Sequence, residues 1–233
     1  YTGELNLPLV ETLLLGASRS KVTVDLGDLV VPARPPTLCP GCGHRGPFTL
    51  FKEMGLRVTG DIGCYTLGAL KPLAAMDTCL CMGASVGMAE GLDRFGGPKE
   101  KGKTVGVIGD STFFHTGIPG LLDMLANGST ATLVILDNAV TAMTGAQPNP
   151  GSGKDIRGNE APQMDTAAVC RGLGVRLVRV VNPYDMPEVK AALEEALAAQ
   201  EVAVVIAKAP CVLDCHLSLG RPYHVETTAC NRC

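Results

Sequence analysis

The chain has 233 residues, 20 Lys plus Arg against 23 Asp plus Glu, and 46% hydrophobic but only 4% aromatic residues. A net charge of −3, with basic residues scattered apart from the KEKGK turn, leaves no electrostatic footprint for nucleic acid. No apolar run reaches membrane-spanning length and YTGELNLP has no basic stretch before an apolar one, so a soluble, cytoplasmic protein without membrane contact is expected. The length suits one large α/β domain with tails. Ten cysteines in a chain this rich in aliphatic residues point to reduced thiols and metal ligands rather than disulfide staples.

In chain order, Leu9, Val10, Leu13 and Leu14 recur at helical spacing, KVTVDLGDLVV follows as an extended segment and PARPP as a linker. Residues 1–36 therefore read as a tail or linker from a preceding domain, the alternative being a simple N-terminal decoration. PFTLFKEMGL predicts a helix ending at Gly55, RVTGDIG a short strand, and GASVGMAEGLDRF a helix whose small residues admit close backbone approach. A strand at 104–109, a helix at 118–127 closed by Gly128 and a strand at 131–136 come next. AAVCRGLG reads as a helix, VRLVRVV as a strand, 185–199 as a helix with Val189, Ala192, Leu193, Ala196 and Leu197 on one face, and VAVVIAKA as the last strand. Such alternation predicts an α/β fold, a doubly wound, mostly parallel sheet with helices on both faces. The loop 138–163 is long and rich in Gly, Pro, Asn and Thr, the mark of a functional loop.

Two of the apolar runs, TVGVIGDS and TATLVILDN, have the character of strands buried on both faces, and each ends in an oxygen-bearing side chain. Asp110 and Asn138 would then stand side by side at the carboxyl edge of the sheet, where open α/β folds bind ligands. A carboxylate and an amide oxygen, completed by a backbone carbonyl and phosphate oxygens, suit Mg²⁺. A metal-held diphosphate is the expectation, and two turn-forming residues at strand ends are the alternative. Met82, Gly83, Ala84 and Ser85 open a helix whose N–H groups would face that cofactor. Cys39-x-x-Cys42 and Cys230-x-x-Cys233 are the clearest thiol pairs, whereas Cys79, Cys81 and Cys170 read as small core residues and Glu90 and Glu100 as solvated. His44, Arg45 and His115 lie near these motifs with no role assigned.

The spacing GDS…LDN resembles the GDG…N diphosphate motif of thiamine diphosphate enzymes, with Ser111 where the general pattern has Gly. The ordered words CPGCGHR, GDIGCYTLG, DTCLCMGASVGMA, GDSTFFHTGIPGLL and LDNAVTAMTGAQPNPG resemble the 2-oxoacid:ferredoxin oxidoreductases, most closely their indolepyruvate-type members, over roughly residues 36–233. This resemblance implies a thiamine-diphosphate-binding domain at 37–215. In it Asp110, Asn138 and the main-chain carbonyl of Val140 ligate Mg²⁺, and Gly109, Ser111, Thr144, Gly145 and Gln147 line the cofactor. It also implies that Cys39, Cys42, Cys64 and Cys211 hold a 4Fe–4S cluster, with zinc as the rival occupant and Cys215 as a substitute for Cys211. Cys230 and Cys233 would open a truncated ferredoxin-like Fe–S module at 216–233.

The activity so implied is oxidative decarboxylation of a 2-oxo acid to an acyl-CoA. Coenzyme A takes the acyl group, and ferredoxin receives the electrons through Fe–S clusters. An activating glutamate is expected on a pyrimidine-binding domain that this chain lacks, and a smaller partner subunit completes the enzyme, so no catalytic residue is assigned here. Three alternatives stay open: another 2-oxoacid:ferredoxin oxidoreductase, a non-oxidative thiamine diphosphate decarboxylase or synthase, and a zinc-stabilised, non-catalytic interaction domain.

Overall fold

In the computed structural model residues 5–16, 27, 35–98, 101–214 and 226–229 are described, within two units, Tyr1–Pro35 and Pro36–Cys233. The first unit contributes helix α1 (Leu7–Leu15), which Asn6 starts by accepting the Leu9 N–H at 3.1 Å and which Gly16 ends in the left-handed conformation. KVTVDLGDLVV lies outside the described residues except for Gly27.

Among the described residues the second unit has six strands, β1 (Arg57–Gly60), β2 (Thr78–Cys79), β3 (Thr104–Gly109), β4 (Thr132–Asp137), β5 (Leu177–Val181) and β6 (Ala203–Lys208). They form one all-parallel sheet in the order β2-β1-β3-β4-β6-β5. The central strands β3 and β4 are buried at every position, which is why their sequences are unbroken apolar runs. Strand periodicity then sorts their side chains between two cores. Val105, Val107, Val134, Leu136 and Val205 pack with α2 (Arg45–Glu53) and α7 (Met186–Ala198) on one face. Ile108, Leu133, Ile135, Val204 and Ile206 pack with α3 (Ala84–Phe95), α5 (Ile118–Ala126) and α6 (Thr166–Gly172) on the other. The doubly wound, parallel α/β architecture expected from the sequence is the one observed.

Two features set the site's position. Gly106 lets α3 lie close on β3, because a Cβ there would meet Ser85 O and Ala89 Cβ at 3.2 Å. Asp93 of α3 staples the turn that feeds β4: its carboxylate accepts from Ser129 Oγ at 3.0 Å, Thr130 N at 2.7 Å and Thr130 Oγ1 at 2.7 Å.

The structure departs from the sequence expectation beyond β3. Gly117 and Pro119 resemble a helix start, and the sequence predicts a helix from 118. Instead the chain is helical from Asp110 onward, through α4 (Asp110–Thr112) and a π turn at Phe113–Gly117, before α5. Asp110 therefore sits at a strand end and in a helical first turn at once, where backbone N–H groups favour negative charge. Strand β2, only two residues long, and the 3₁₀ turn Cys64–Ala69 leave no periodic trace in the sequence.

Replacing Gly106 by Val should overpack the α3–β3 contact and lower stability by about 1–3 kcal/mol, read as a shift of the urea midpoint with unchanged slope.

Candidate functional site

Gly109 of β3 is in register with Leu136 of β4, so Asp110 and Asn138 leave neighbouring strands at the same edge of the sheet. Asp110 is only 3% exposed and accepts one hydrogen bond on Oδ2, from Asn149 Nδ2 at 2.9 Å. Among the described residues its carboxylate has no ion pair. Burial, opposed by the Asn149 bond and reinforced by the nearby Asp137, pushes the Asp110 carboxyl up to about 6. A buried carboxylate with one hydrogen bond and a second acid nearby is electrostatically unsatisfied, and a divalent cation would relieve it.

Beyond β4 the chain reverses at once. Asn138 Oδ1 accepts the Val140 N–H at 3.2 Å, Ala139 takes φ +59°, and its N–H donates to Asp137 Oδ1 at 3.1 Å. A left-handed alanine is costly, and the two side-chain turns hold it there. Asp137 is itself buried, accepting from Thr166 Oγ1 at 3.2 Å with Lys208 Nζ at 3.8 Å. As a result Asn138 and Val140 line the same cleft as Asp110. The Asn138 side-chain oxygen keeps a second lone pair for a metal.

That cleft brings together Met82, Gly109, Asp110, Ser111, Asn138, Val140 and Thr144 of the predicted set. Ser111 Oγ accepts from Thr141 Oγ1 at 2.9 Å, fixing the first helical turn to the loop that follows β4. Tyr65 closes one wall. Its ring lies so near Gly109 that a Cβ there would stand 2.8 Å from Cε1, and burial pushes its phenol well above the ordinary range. Gly109 is therefore required by a packed ring as well as by any phosphate. Hard oxygen donors, a dry carboxylate and a glycine-floored cleft fit a Mg²⁺-bound diphosphate.

Other predicted residues stand elsewhere. Gly83, Ala84 and Ser85 are not in the cleft lining, and the N-terminus of α3 is already served by Asp61. The buried Asp61 accepts from Gly83 N at 2.8 Å and from Ser85 Oγ at 3.4 Å. Gly145 and Gln147 shape the loop instead: Gly145 takes φ +117°, and Gln147 Nε2 donates to Thr144 O at 2.8 Å while its own carbonyl accepts the Thr141 N–H at 2.9 Å.

Cys39, Cys42, Cys64 and Cys211 line a second cavity together, on the other side of a shared wall. The CPGC turn is closed by Cys42 N donating to Cys39 O at 3.2 Å. Arg45 braces it through its Nε to Cys39 O at 2.9 Å and a further bond to Leu38 O, so Arg45 holds the turn rather than reaching into either cavity. Burial, with the other three cysteines adding to it, pushes the Cys42 thiol up, while the His44 N–H opposes this. Burial and the neighbouring Cys211 and Cys39 do the same to Cys64. Thiols packed closely enough for their neighbours to push Cys42 and Cys64 up form a set that a cationic metal centre would convert to thiolates. Among the described residues no three His, Cys, Asp or Glu side chains converge on a single-ion site. Cys215, Cys230 and Cys233 lie outside the described residues.

His44, Cys64, Asn138 and Ala142 line both cavities. His44 is 7% exposed, packs edge-on against Tyr65 at 6.2 Å, and burial lowers its pKa to about 4, so the partition is a neutral imidazole. His115 is exposed and lines neither cavity. Three expectations are corrected. Cys81 is exposed and Cys79 half-buried rather than core, because β2 is a two-residue edge strand; Cys170 is core as expected. Glu90 is buried rather than solvated, held beside Arg94 at 3.9 Å. Glu100 is outside the described residues. Asn149, Asp61, Asp137 and Tyr65 escaped the sequence analysis. Their distant partners leave no mark in the spacing, and only Asp137 and Asn149, as turn formers, carry a local signal.

The chain belongs to the thiamine pyrophosphate enzymes: residues 61–207 match the family's C-terminal TPP binding domain. Among curated proteins it is similar to indolepyruvate oxidoreductase subunit IorA of Methanothermobacter thermautotrophicus, 40% identical over 229 residues, covering 94% of this chain and 36% of that protein. The subunit of the same name from Archaeoglobus fulgidus is 42% identical over 224 residues, covering 90% of this chain and 35% of that protein. The chain thus spans about a third of the length of these relatives. Among solved structures, the fold is shared with the 2-oxoglutarate:ferredoxin oxidoreductase of Magnetococcus marinus, at 20% identity and a TM-score of 0.63, covering 77% of this chain and 66% of that one.

Because the folded carboxyl of Asp110 titrates near 6 rather than 3.8, the native chain binds its proton more tightly than the unfolded chain does. Stability of the metal-free protein should therefore fall as pH rises from about 4 to about 6. Asp110→Asn should remove that slope and raise metal-free stability at pH 7 by roughly 2 kcal/mol, checked by urea unfolding at pH 4, 5 and 7 in chelator.

Proposed function

We propose that this chain is the diphosphate-binding part of a thiamine-diphosphate-dependent 2-oxoacid:ferredoxin oxidoreductase acting on arylpyruvates, indolepyruvate first among them. The observation that carries this reading is the pair of adjoining cavities, one lined by the Asp110–Asn138–Val140 set and the other by four cysteines, with His44 and Cys64 common to both. A non-oxidative thiamine enzyme has no need of a four-thiol cavity against its cofactor cleft. The names borne by the relatives support the oxidative chemistry and the indole-type substrate.

In this reading the Asp110 carboxylate, the Asn138 side-chain oxygen and the Val140 carbonyl hold Mg²⁺ on the diphosphate. Thiamine diphosphate, when bound, supplies the electron-sink chemistry for cleaving a 2-oxo acid. Tyr65 and Gly109 form the dry wall of the cleft, and Ser111 and Thr141 tie the first turn of the helix to the loop above it. Cys39, Cys42, Cys64 and Cys211 hold a 4Fe–4S cluster as the one-electron acceptor. Neutral His44 separates the two sites without adding charge between them. Coenzyme A takes the acyl group and ferredoxin the electrons. The activating glutamate comes from a pyrimidine-binding domain, a smaller subunit completes the assembly, and Cys230 and Cys233 belong to a further Fe–S module. Thiolate-ligated iron suits a reducing cytoplasm.

The test is anaerobic purification of the full-length polypeptide with its partner subunit. Thiamine diphosphate should bind only with Mg²⁺ and not at all in Asp110→Ala, iron should fall by about four atoms per chain in Cys42→Ser, and indolepyruvate with coenzyme A should reduce ferredoxin. Stoichiometric zinc without cofactor binding would instead favour an interaction domain, and cofactor binding without iron a non-oxidative decarboxylase.

A further inference from the structure

The loop after β4 returns to the site at one residue. Asn149, 7% exposed, donates its Nδ2 to Asp110 Oδ2 at 2.9 Å and accepts the Gly151 N–H on Oδ1 at 2.8 Å. Both ends of its amide are thus committed, which fixes the side-chain rotation. The Asn149 carbonyl accepts from Ser152 N at 2.9 Å and from Ser152 Oγ at 2.7 Å. Farther along, Gln163 Nε2 donates to Gly151 O at 2.7 Å and Met164 N to Pro150 O at 2.9 Å. The three residues 149–151 therefore gather both limbs of the loop and press them against Asp110. The fit is close: a Cβ on Gly151 would stand 3.2 Å from Asn149 Oδ1 and 3.3 Å from Phe114 Cε2.

We propose that Asn149 is a positioning residue for the metal–diphosphate site, locking the rotation of the Asp110 carboxylate and tying the order of the 141–164 loop to metal binding. The proposal rests on the reading of Asp110 as a Mg²⁺ ligand. The physical reason is the demand of the ion: Mg²⁺ requires near-ideal octahedral angles, whereas Ca²⁺ accepts flexible geometry and either mono- or bidentate carboxylates. A carboxylate held by a side-chain amide meets the first demand. One free to rotate meets only the second. The sequence spacing gives no hint of this, since Asn149 lies 39 positions from Asp110.

The test measures Mg²⁺ and Ca²⁺ dissociation constants at saturating thiamine diphosphate in the full-length polypeptide with its partner subunit, for wild type, Asn149→Ala and the isosteric Asn149→Asp, with far-ultraviolet circular dichroism confirming the fold. Loss of an outer-shell partner costs about 10–100-fold in metal affinity, and that loss should fall on Mg²⁺ in Asn149→Ala while Ca²⁺ changes several-fold less. In Asn149→Asp the preference should likewise swing toward Ca²⁺. Unchanged Mg²⁺ affinity, or equal losses for the two ions in both variants, overturns the positioning role. If the wild type itself binds thiamine diphosphate without any divalent ion, the reading of Asp110 fails instead, so the two failures are distinct.

Discussion

Everything at the carboxyl edge of the sheet depends on one dry carboxylate. Asp110 ends a fully buried strand, opens a helix and lies beside a second buried acid, Asp137. Burial makes its charged form costly, and the surrounding fold has to hold it in place against that cost. The stabilising side is visible in the two cores that clamp β3 and β4, in Gly106 beneath α3 and in Asp93 stapling the turn before β4. Gly106 and Asp93 stand outside the cleft lining, and only the edge of one core, at Tyr65 and Leu136, reaches it. Each sets where a strand ends, and strand ends are what place Asp110 beside Asn138.

Local backbone chemistry then decides what lines the cleft. Two successive turns, on Asp137 and Asn138, hold Ala139 in the left-handed region and bring Val140 back into the lining. On the opposite wall Tyr65 lies over Gly109, so the glycine of the GDS motif has two reasons to be there: a phosphate would need close backbone approach, and the ring already occupies the space of a side chain. A motif glycine that satisfies both packing and binding tolerates no substituent from either direction.

Much of this was legible in the amino-acid sequence, and the rest was not for physical reasons. Unbroken apolar runs reported strands buried on both faces, and the phase of Val189, Ala192, Leu193 and Ala196 reported the core side of α7. GDS and LDN marked the strand ends, and CPGC marked a thiol turn. At the start of α3 the sequence shows free N–H groups but not their tertiary neighbour: Asp61, more than twenty positions earlier, accepts the Gly83 N–H. Gly145 and Gln147 were drawn toward the cofactor by motif position, whereas their hydrogen bonds close on Thr144, Thr141 and Ala142. The contact of Asn149 with Asp110 was invisible for the same reason that Asp61's with Gly83 was. Partner choice over long separations is settled by packing, and spacing carries none of it.

The two cavities share a common electrostatic problem. Burial holds Cys42, Cys64 and Asp110 toward their protonated forms, and each set adds to the difficulty of its own members. A protonated histidine between them would ease both, yet it would also compete with any metal for the same negative ligands. Burial of His44 removes that competitor: its imidazole is neutral at physiological pH, and its edge-on contact with Tyr65 is one that a neutral ring makes at no cost in charge. Any positive charge that offsets the thiols and the carboxylate would then have to come from outside this partition. A neutral wall in low dielectric also leaves a charge placed in one cavity poorly screened from a charge in the other across His44 and Cys64.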